Sequence, residues 1–280
     1  MSFEVRPLAG ALGAEILGLD LRALSPADDE ALHAAFLEHH VLVIRGQSLT
    51  RAEQLQFARR FGEPEVHPIV EGMGDHPDVI RVHKPAGDSA SFGVGWHTDN
   101  SFFEAPSGTT VLYGEILPPT GGDTLFANME RAWDALSEPM RERLDGLRAV
   151  HSASSAYDPA LVGHEKYEGR GPLKYRYSDS VTAEVLHPIA RRHPKTGRTS
   201  LYVNPMFTQG IEGMSKAEGD ALLEMLFRHA ESPDFTCRVR WEKGTLTMWD
   251  NRCVWHYALD DYQAHERLMY RVTLAGERPA

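Results

Sequence analysis

A histidine and an aspartate two residues apart, His97 and Asp99, have the types and spacing needed to hold a metal ion. Alternate residues of an extended segment point the same way, so both can reach one ion while Thr98 points away. A third imidazole from a distant segment, for which His256 is the candidate, would complete the two-histidine, one-carboxylate set that binds non-haem iron(II) and leaves one face open for chemistry. A His-X-Asp pair alone also fits a hydrogen-bonded pair at a turn.

The surroundings of His256 distinguish it from the other histidines. It follows the aromatic and polar run Trp-Asp-Asn-Arg at residues 249–252 and is preceded directly by Val254 and Trp255. The other histidines considered lie in polar or loop contexts: His151, His187, His193 and His265. His256 is therefore the preferred third ligand.

Two arginines, Arg267 and Arg271, lie shortly after His256. In a strand over residues 267–275 they share one face, and their Cα atoms lie about 13 Å apart. By this pattern alone the face could be exposed to solvent, and the arginines would be ordinary surface charges. If the face lines a barrel, each guanidinium needs an anion, because a buried unpaired charge is very costly. Arginines near a metal site suit a carboxylate cosubstrate and an anionic substrate, since they bind such groups bidentately.

The segment Gly121-Gly122-Asp123-Thr124 predicts a tight turn that leads into a strand. Its role could be purely structural. In the functional alternative, the Thr124 hydroxyl donates a hydrogen bond to the carboxylate of a ligand.

Capping residues and apolar runs mark the elements that must position these side chains. A Ser-Pro pair predicts a helix over residues 26–39, and a capping box at Thr50 predicts a second helix over residues 51–62. Further helices are predicted over residues 130–150, interrupted near 137–139, and after Ser215, and strands over residues 41–44, 79–82, 109–117, 123–126, 185–190, 200–203, 235–241, 245–249 and 267–275. Strands that do not alternate regularly with helices favour one α+β domain over residues 1–280 with a mostly antiparallel core.

Two irregular stretches, residues 63–95 and 151–183, contain many prolines and glycines or many polar residues. Long stretches without regular structure are commonly binding loops or disordered segments. Because the first directly precedes the metal motif, we expect both to be substrate-site loops or a lid, and disorder is the alternative for the first.

Composition argues against several classes of protein. The 280 residues carry a net charge of −11 and no Lys/Arg-rich run, which disfavours a nucleic-acid-binding surface. No window approaches the ~18 apolar residues of a membrane span, and the N-terminus lacks an apolar signal core. Two cysteines, Cys237 and Cys253, make no disulfide framework, so we expect a cytoplasmic protein.

Several segments together resemble the taurine dioxygenase / 2,4-dichlorophenoxyacetate dioxygenase family of iron(II)- and 2-oxoglutarate-dependent oxygenases. The joint pattern is specific, although its pieces are not. The matching segments are Trp96-His97-Thr98-Asp99, residues 121–126 (Gly-Gly-Asp-Thr-Leu-Phe), His187-Pro188, His193-Pro194, residues 202–204 (Tyr-Val-Asn), residues 249–252, and His256 with Arg267 and Arg271. The resemblance implies a double-stranded β-helix, or jelly roll, with flanking helices, which agrees with the α+β prediction.

The resemblance implies roles in binding the metal and the cosubstrate. The ligands of Fe(II) would be His97, Asp99 and His256. Thr124 and Arg267 would hold the distal carboxylate of 2-oxoglutarate.

The resemblance also implies roles in binding the substrate. Arg271 would lie near the acidic group of the substrate or near 2-oxoglutarate, His67 matches a residue that contacts the substrate anion in the taurine enzyme, and Phe207 matches an aromatic wall. Val70 and Gly93 depart from the taurine pattern, which has a tyrosine and an asparagine at these positions. Both changes remove polar contacts, so a bulkier or more apolar anion than taurine is expected.

These roles describe a dioxygenase that uses O₂ and 2-oxoglutarate to hydroxylate a C–H bond of a small organic anion, releasing succinate and CO₂. Alkylsulfonates, sulfate esters and aryloxyalkanoates are the candidate substrates, and taurine itself is the alternative. Alternatives from other classes are a zinc-dependent hydrolase on the same ligands and a metal-free binding protein. The expected partners are the substrate and further copies of the chain in a dimer or tetramer, without nucleic acid or membrane.

Overall fold

Strands make up most of the regular structure in the computed structural model, which describes residues 2–88, 92–158, 173–176 and 178–280. The strands are β1 (Glu4–Pro7), β2 (Ala14–Leu17), β3 (Val41–Ile44), β4 (Ile80–Lys84), β5 (Thr109–Ile116), β6 (Thr124–Asn128), β7 (Arg148–His151), β8 (Val185–Pro188), β9 (Ala190–Arg192), β10 (Thr199–Leu201), β11 (Thr208–Ile211), β12 (Thr236–Val239), β13 (Leu246–Asp250), β14 (Val254–Ala258) and β15 (Arg267–Leu274). The helices are α1 (Pro26–His39), α2 (Arg51–Ala58), α3 (Met129–Asp134), α4 (Glu138–Leu144), α5 (Ser154–Tyr157) and α6 (Lys216–Ala230).

Two sheets form the jelly roll. The larger has the strand order β1-β2-β3-β13-β5-β15-β4, and all its pairs are antiparallel except β2 with β3. The smaller has the order β12-β6-β14 and is antiparallel throughout. The pairs β9 with β10 and β7 with its neighbours β8 and β11 form additional small sheets. The predicted α+β class with a mostly antiparallel core is confirmed.

The apolar strand β3 shows how the layers pack. Leu42 and Ile44 belong to the cluster that joins the larger sheet to α1 and α2, whereas Val41 and Val43 pack towards Phe126 of the smaller sheet. Side chains alternate between the faces of a strand, so a strand buried on both faces is apolar at every position. The larger sheet is therefore covered by helices outside and by the smaller sheet inside.

Helix α6 covers the outer face of the smaller sheet. Leu223 and Leu226 lie in one cluster with Trp255 of β14. The Ser215 side chain accepts a hydrogen bond from Glu218 N, and the Glu218 side chain binds back to Ser215, which fixes the start of this helix as predicted.

Local signals placed the helix starts correctly and one helix end wrongly. Ser25 and Thr50 cap α1 and α2 with complete capping boxes. Helix α2 ends at Ala58 instead of Gly62, because Phe61 N donates to Ala58 O in a turn.

The prediction of helix over residues 130–150, interrupted near 137–139, was wrong only at its C-terminal end. Helices α3 and α4 are separated close to the predicted interruption, and Gly146 takes a positive φ of 78° that ends the helical path. Residues 148–151 then form β7, which pairs with both β8 and β11. Strand β14, which carries His256, was not predicted as a strand.

The two stretches predicted as loops contain short regular elements. Strand β4 lies within residues 63–95, where a strand over residues 79–82 was predicted, and α5 lies within residues 151–183 without having been predicted. Residues 89–91, 159–172 and 177 lie outside the described residues, so a lid over the site stays a prediction. None of the helices among the described residues is long and apolar enough to span a membrane.

Candidate active site

Backbone pairing brings His97 beside His256 of β14. His97 N–H donates to His256 O at 3.1 Å, and His256 N–H donates to His97 O at 2.8 Å. Opposite residues of an antiparallel pair project to the same face. The two imidazole centroids accordingly lie 4.1 Å apart.

Asp99 completes a cluster of three buried donor atoms. Its Oδ1 lies 3.8 Å from His97 Nε2 and 3.6 Å from His256 Nε2. The three ligand atoms lie within 4.8 Å of one another. Donors that each bind one ion at ~2.0–2.2 Å lie about 3 to 3.5 Å apart, so a small contraction of the cluster fits one cation. Two imidazoles and a carboxylate are also the donor chemistry of a non-haem iron(II) site.

Hydrogen bonds orient these three side chains. Gly95 O accepts a hydrogen bond from His97 Nδ1 at 2.9 Å, so the proton of the neutral ring is on Nδ1. The lone pair on Nε2 therefore faces Asp99 and is available to a metal ion. Asp99 Oδ2 accepts from the Thr110 hydroxyl at 2.7 Å, and Thr110 in turn accepts from Asn251 Nδ2 at 2.9 Å. The carboxylate is thus fixed through its outer oxygen.

Asn251 is the centre of this support. Its Oδ1 accepts from Trp249 Nε1 at 3.0 Å and from Asp99 N at 3.4 Å, and its carbonyl accepts from the Thr98 hydroxyl at 2.8 Å. Residues 249–252 match the family pattern in sequence, but the pattern alone assigns no role to any of them. The structure shows that Asn251 orients the Asp99 segment.

Electrostatics favour the protonation states that a cation requires. Burial lowers the pKa of His97 and of His256, because desolvation disfavours the charged imidazolium. Burial alone would raise the pKa of Asp99, but Arg271 and the two histidines outweigh it and hold that pKa below its ordinary value. Neutral imidazoles and an ionised carboxylate are the metal-binding forms of these groups.

Arg267 and Arg271 point inward from β15, and each is only 6% exposed. The interior alternative is therefore the correct one. Arg271 Nη2 lies 3.0 Å from Asp99 Oδ1, and Arg267 Nη2 donates to Gly122 O at 3.3 Å. The Nε atoms of both arginines have no hydrogen-bond partner among the described residues. Both side chains thus retain donors for an anion.

A narrow cleft of about 40 Å³ is lined by His256, Thr124, Arg267 and Arg271, among others. The Thr124 oxygen accepts a hydrogen bond from Trp241 Nε1 at 2.9 Å. Its own hydroxyl hydrogen remains for another acceptor, because a hydroxyl both donates and accepts. The cleft therefore places hydrogen-bond donors beside the metal cluster.

A larger cavity of about 440 Å³ adjoins two of the three proposed ligands, His97 and Asp99. It is lined by His97, Asp99 and Arg271, and also by the predicted substrate residues His67, Gly93 and Phe207. Its remaining walls are mainly apolar or aromatic and include Phe92, Val94, Ala156, Tyr157, Tyr175, Pro205 and Met206, with Asn100 and Ser155 as polar members. The fifth predicted residue, Val70, packs in a cluster with Ile80 and Val82, and its backbone pairs with Tyr175 of the cavity wall.

Both ring nitrogens of His67 are hydrogen-bonded. Nδ1 accepts from Ile69 N at 3.1 Å and Val70 N at 3.0 Å, so Nε2 carries the proton and donates it to Asn100 Oδ1 at 2.9 Å. Burial, followed by the charge of Arg271, lowers the pKa of His67 to about 4. A substrate anion that binds His67 must therefore compete with Asn100 for the Nε2 proton.

Comparison with known protein families identifies the family to which the chain belongs. Residues 4–273 match the family described as taurine catabolism dioxygenase TauD, TfdA family. The chain belongs to this family.

Individual TauD/TfdA relatives match over nearly the whole chain. An α-ketoglutarate-dependent sulfate ester dioxygenase from Pseudomonas putida is 37% identical over 100% of this chain and 91% of that protein. An alkylsulfatase from Acinetobacter baylyi is 36% identical over 98% of this chain and 85% of that protein. The crystal structure of a taurine dioxygenase from Burkholderia xenovorans is 35% identical, with a TM-score of 0.84 over 100% of this chain and 93% of that one.

As a TauD/TfdA member the chain is an oxidoreductase, a dioxygenase that depends on 2-oxoglutarate (α-ketoglutarate). The jelly-roll prediction and the family prediction are confirmed. Family membership decides against the zinc-dependent hydrolase and the metal-free binding protein.

Sequence reasoning missed several residues of this TauD/TfdA site. Thr110 and Asn251, which fix Asp99, had no detectable signal beyond the matched run at 249–252. Asn100 directly follows Asp99 and takes a positive φ of 56°, which a single sequence does not reveal. Tyr157 lies in the stretch predicted to cover the site, so only its loop was anticipated.

Proposed function

We propose that Fe(II), held by His97, Asp99 and His256, acts with 2-oxoglutarate and O₂ in this enzyme to hydroxylate a C–H bond of a small organic anion. The observation that carries the proposal is the meeting of three buried donor atoms within 4.8 Å beside a cavity of about 440 Å³. Bound iron supplies the activation of O₂, with one oxygen atom entering the substrate and the other entering succinate as CO₂ is released. The protein supplies orientation, charge and exclusion of water.

Thr124 and Arg267 are proposed to bind the distal carboxylate of 2-oxoglutarate. Support comes from the free hydroxyl hydrogen of Thr124 and the unpartnered Nε of Arg267, which line the same cleft. The guanidinium is buried against Tyr262 and Trp241, where a carboxylate would compensate the cost of the buried charge.

Arg271 is proposed to hold the acidic group of the substrate, since it lines both the cleft and the larger cavity. It has donors left over for an anion, and its proximity to Asp99 would bring that anion close to the metal. His67 is a second candidate contact, through the proton that it now gives to Asn100. The apolar wall around Phe207 would accommodate a carbon skeleton.

A sulfate ester is the substrate that these features favour first. Two relatives, the sulfate ester dioxygenase and the alkylsulfatase, match almost the whole chain. The cavity of about 440 Å³ has apolar walls at Phe92, Val94 and Phe207 that suit an alkyl chain, and Gly93 contributes no side chain. Hydroxylation of the carbon that bears the sulfate gives an unstable product that releases sulfate. Alkylsulfonates and aryloxyalkanoates stay candidates.

Three broader expectations also stand as proposals. We propose one domain over residues 1–280 with residues 63–95 and 151–183 as site loops, assembly into a dimer or tetramer, and a cytoplasmic location. The first is supported by strands from near both ends of the chain, β1 and β15, in one sheet.

The first experiment is anaerobic. Fe(II) and 2-oxoglutarate are added to the protein, and the visible metal-to-ligand charge-transfer band is recorded before and after addition of alkyl sulfates, alkylsulfonates and aryloxy acids. We expect the band to form and to shift with an alkyl sulfate. No band in the folded, iron-loaded protein would refute the cosubstrate site, and a shift with another compound alone would refute the sulfate ester.

Replacing a metal ligand gives the matching prediction. His97→Ala should abolish O₂ uptake that depends on 2-oxoglutarate, measured with an oxygen electrode in the presence of the substrate found above. Thr247→Val is a suitable control, because the buried Thr247 hydroxyl has no hydrogen-bond partner among the described residues. Substantial uptake by His97→Ala would show that the ligand assignment is wrong.

A further inference from the structure

Lys84, the last residue of β4, is a buried cation that the proposed reaction does not use. It is 2% exposed, and within the described residues its Nζ has neither a hydrogen-bond partner nor an ion pair. A buried charge without a partner is costly. The neighbourhood of Lys84 is therefore suited to an anion that the chain itself does not provide there.

The strand register places Lys84 beside Arg267. Strands β4 and β15 are antiparallel neighbours, and Lys84 lies directly opposite Arg267. Directly opposite residues project to the same face. Along β4, Ile80, Val82 and Lys84 are buried while Arg81 is exposed, so Lys84 projects into the barrel.

The two cations share one aromatic ring. Lys84 Nζ lies 4.6 Å from the centroid of Tyr262, and Arg267 Cζ lies 5.6 Å from the same centroid. Arg267 lines the narrow cleft together with Thr124. Neither cation forms an ion pair with a carboxylate among the described residues. Arg267 therefore lines the cleft directly, and Lys84 lies beside Arg267 on the neighbouring strand.

We propose that Lys84 is a specificity-determining residue, whose charge strengthens binding of the distal carboxylate of 2-oxoglutarate and selects against 2-oxo acids that lack this group. The inference rests on the proposed function, because it takes that carboxylate to lie at Arg267. Direct contact is not required, since Coulombic attraction declines only as the inverse of distance and a buried site is weakly screened. One charge several ångströms away is expected to change the dissociation constant about tenfold.

The test compares two ligands that differ only at the distal end. Dissociation constants of 2-oxoglutarate and 2-oxovalerate, which carries a methyl group in place of the distal carboxylate, are measured calorimetrically with the anaerobic Fe(II)-loaded protein. Lys84→Met keeps most of the length of the side chain and removes its charge. This variant should raise the dissociation constant of 2-oxoglutarate about tenfold and change that of 2-oxovalerate by no more than about twofold. Lys84→Arg should retain the wild-type preference for 2-oxoglutarate. An unchanged affinity for 2-oxoglutarate, or an equal loss for both ligands, would overturn the proposal.

Arg51→Met is the matched control. Arg51 is a partly buried cation that lies 3.7 Å from the ring centroid of Tyr270, on the opposite face of β15. Its removal should leave both dissociation constants unchanged. If Arg51→Met lost as much preference for 2-oxoglutarate as Lys84→Met, any buried cation near β15 would have the same effect on binding. That result would overturn the specific role of Lys84.

A second variant covers failure of Lys84→Met to fold. In Arg267→Met, Lys84 together with the Thr124 hydroxyl should maintain a clear preference for 2-oxoglutarate over 2-oxovalerate, and complete loss of the preference would overturn the role of Lys84. The proposed function fails separately. If the wild-type protein binds no 2-oxoglutarate, the cosubstrate assignment and this inference both fail, whereas wild-type binding with an unaltered Lys84→Met refutes the inference alone.

Discussion

At the scale of single residues, hydrogen bonds from neighbouring side chains fix the orientation of Asp99. The Thr110 hydroxyl binds its outer oxygen, and Asn251 binds both Thr110 and the Asp99 backbone. The inner oxygen is left facing His97 and His256. Partners that orient a ligand generally tune metal affinity, so we expect Asn251 to be a positioning residue of the metal site.

Asn251→Ala should weaken Fe(II) binding roughly 10- to 100-fold, since an oriented ligand would become mobile. The measurement is an anaerobic metal titration of the metal-free protein. Thr247→Val serves as the control, because the buried Thr247 hydroxyl has no hydrogen-bond partner among the described residues. Equal metal affinities of Asn251→Ala and the wild-type protein would refute the role.

At the scale of elements, capping residues fix where the helices that cover the larger sheet begin. Ser25 accepts a hydrogen bond from Asp28 N, and the Asp28 side chain binds back to Ser25. Helix α1 then packs Leu32 and Phe36 onto the sheet that contains β15. The same sheet carries the arginines of the site, so the start of α1 contributes to the stability of the layer that holds them.

Ser25→Ala should lower the free energy of unfolding by about 1 kcal/mol, within the usual range for loss of an N-cap. Urea unfolding followed by circular dichroism measures it. Ser137→Ala is a matched control, since Ser137 occupies the N-cap of α4 without a side-chain capping bond. Similar losses for the two variants would contradict the capping explanation.

At the scale of the whole molecule, the interior contains several neutral histidines. Burial lowers the pKa of His67 and of His187 to about 4 and that of His151 to about 3. In the unfolded chain these groups titrate near their ordinary pKa of about 6.5. Between these values the unfolded state binds more protons than the folded state, so the stability falls as the pH falls.

The metal-free protein should therefore lose stability progressively between about pH 6.5 and pH 4, with each such histidine contributing up to about 1.4 kcal/mol per pH unit. His151→Gln should reduce the number of protons taken up on unfolding by about one, so the free energy of unfolding should depend less steeply on pH. Urea unfolding at a series of pH values in the presence of a chelator measures this slope. His265→Gln, at an exposed position, controls for the substitution itself. A slope unchanged by His151→Gln would contradict the prediction.

The sequence by itself determined the features that depend on neighbours along the chain. Capping boxes at Ser25, Thr50 and Ser215 act within four residues, so their patterns located the helix starts. The alternation of an extended segment was enough to place His97 and Asp99 on one side. Short strands such as β7 and β14 could not be predicted, because their pairing partners lie far away in the sequence.

Tertiary packing decided the rest of the candidate site. Whether Arg267 and Arg271 faced solvent or the barrel could not follow from their alternation, since it depends on which sheet lies across from β15. The pairing of His256 with His97 and the support of Asp99 by Asn251 join segments more than 150 residues apart. Lys84 gave no signal in the sequence, because a lysine at a strand end is ordinarily exposed. Its burial beside Arg267 follows only from the register of two strands.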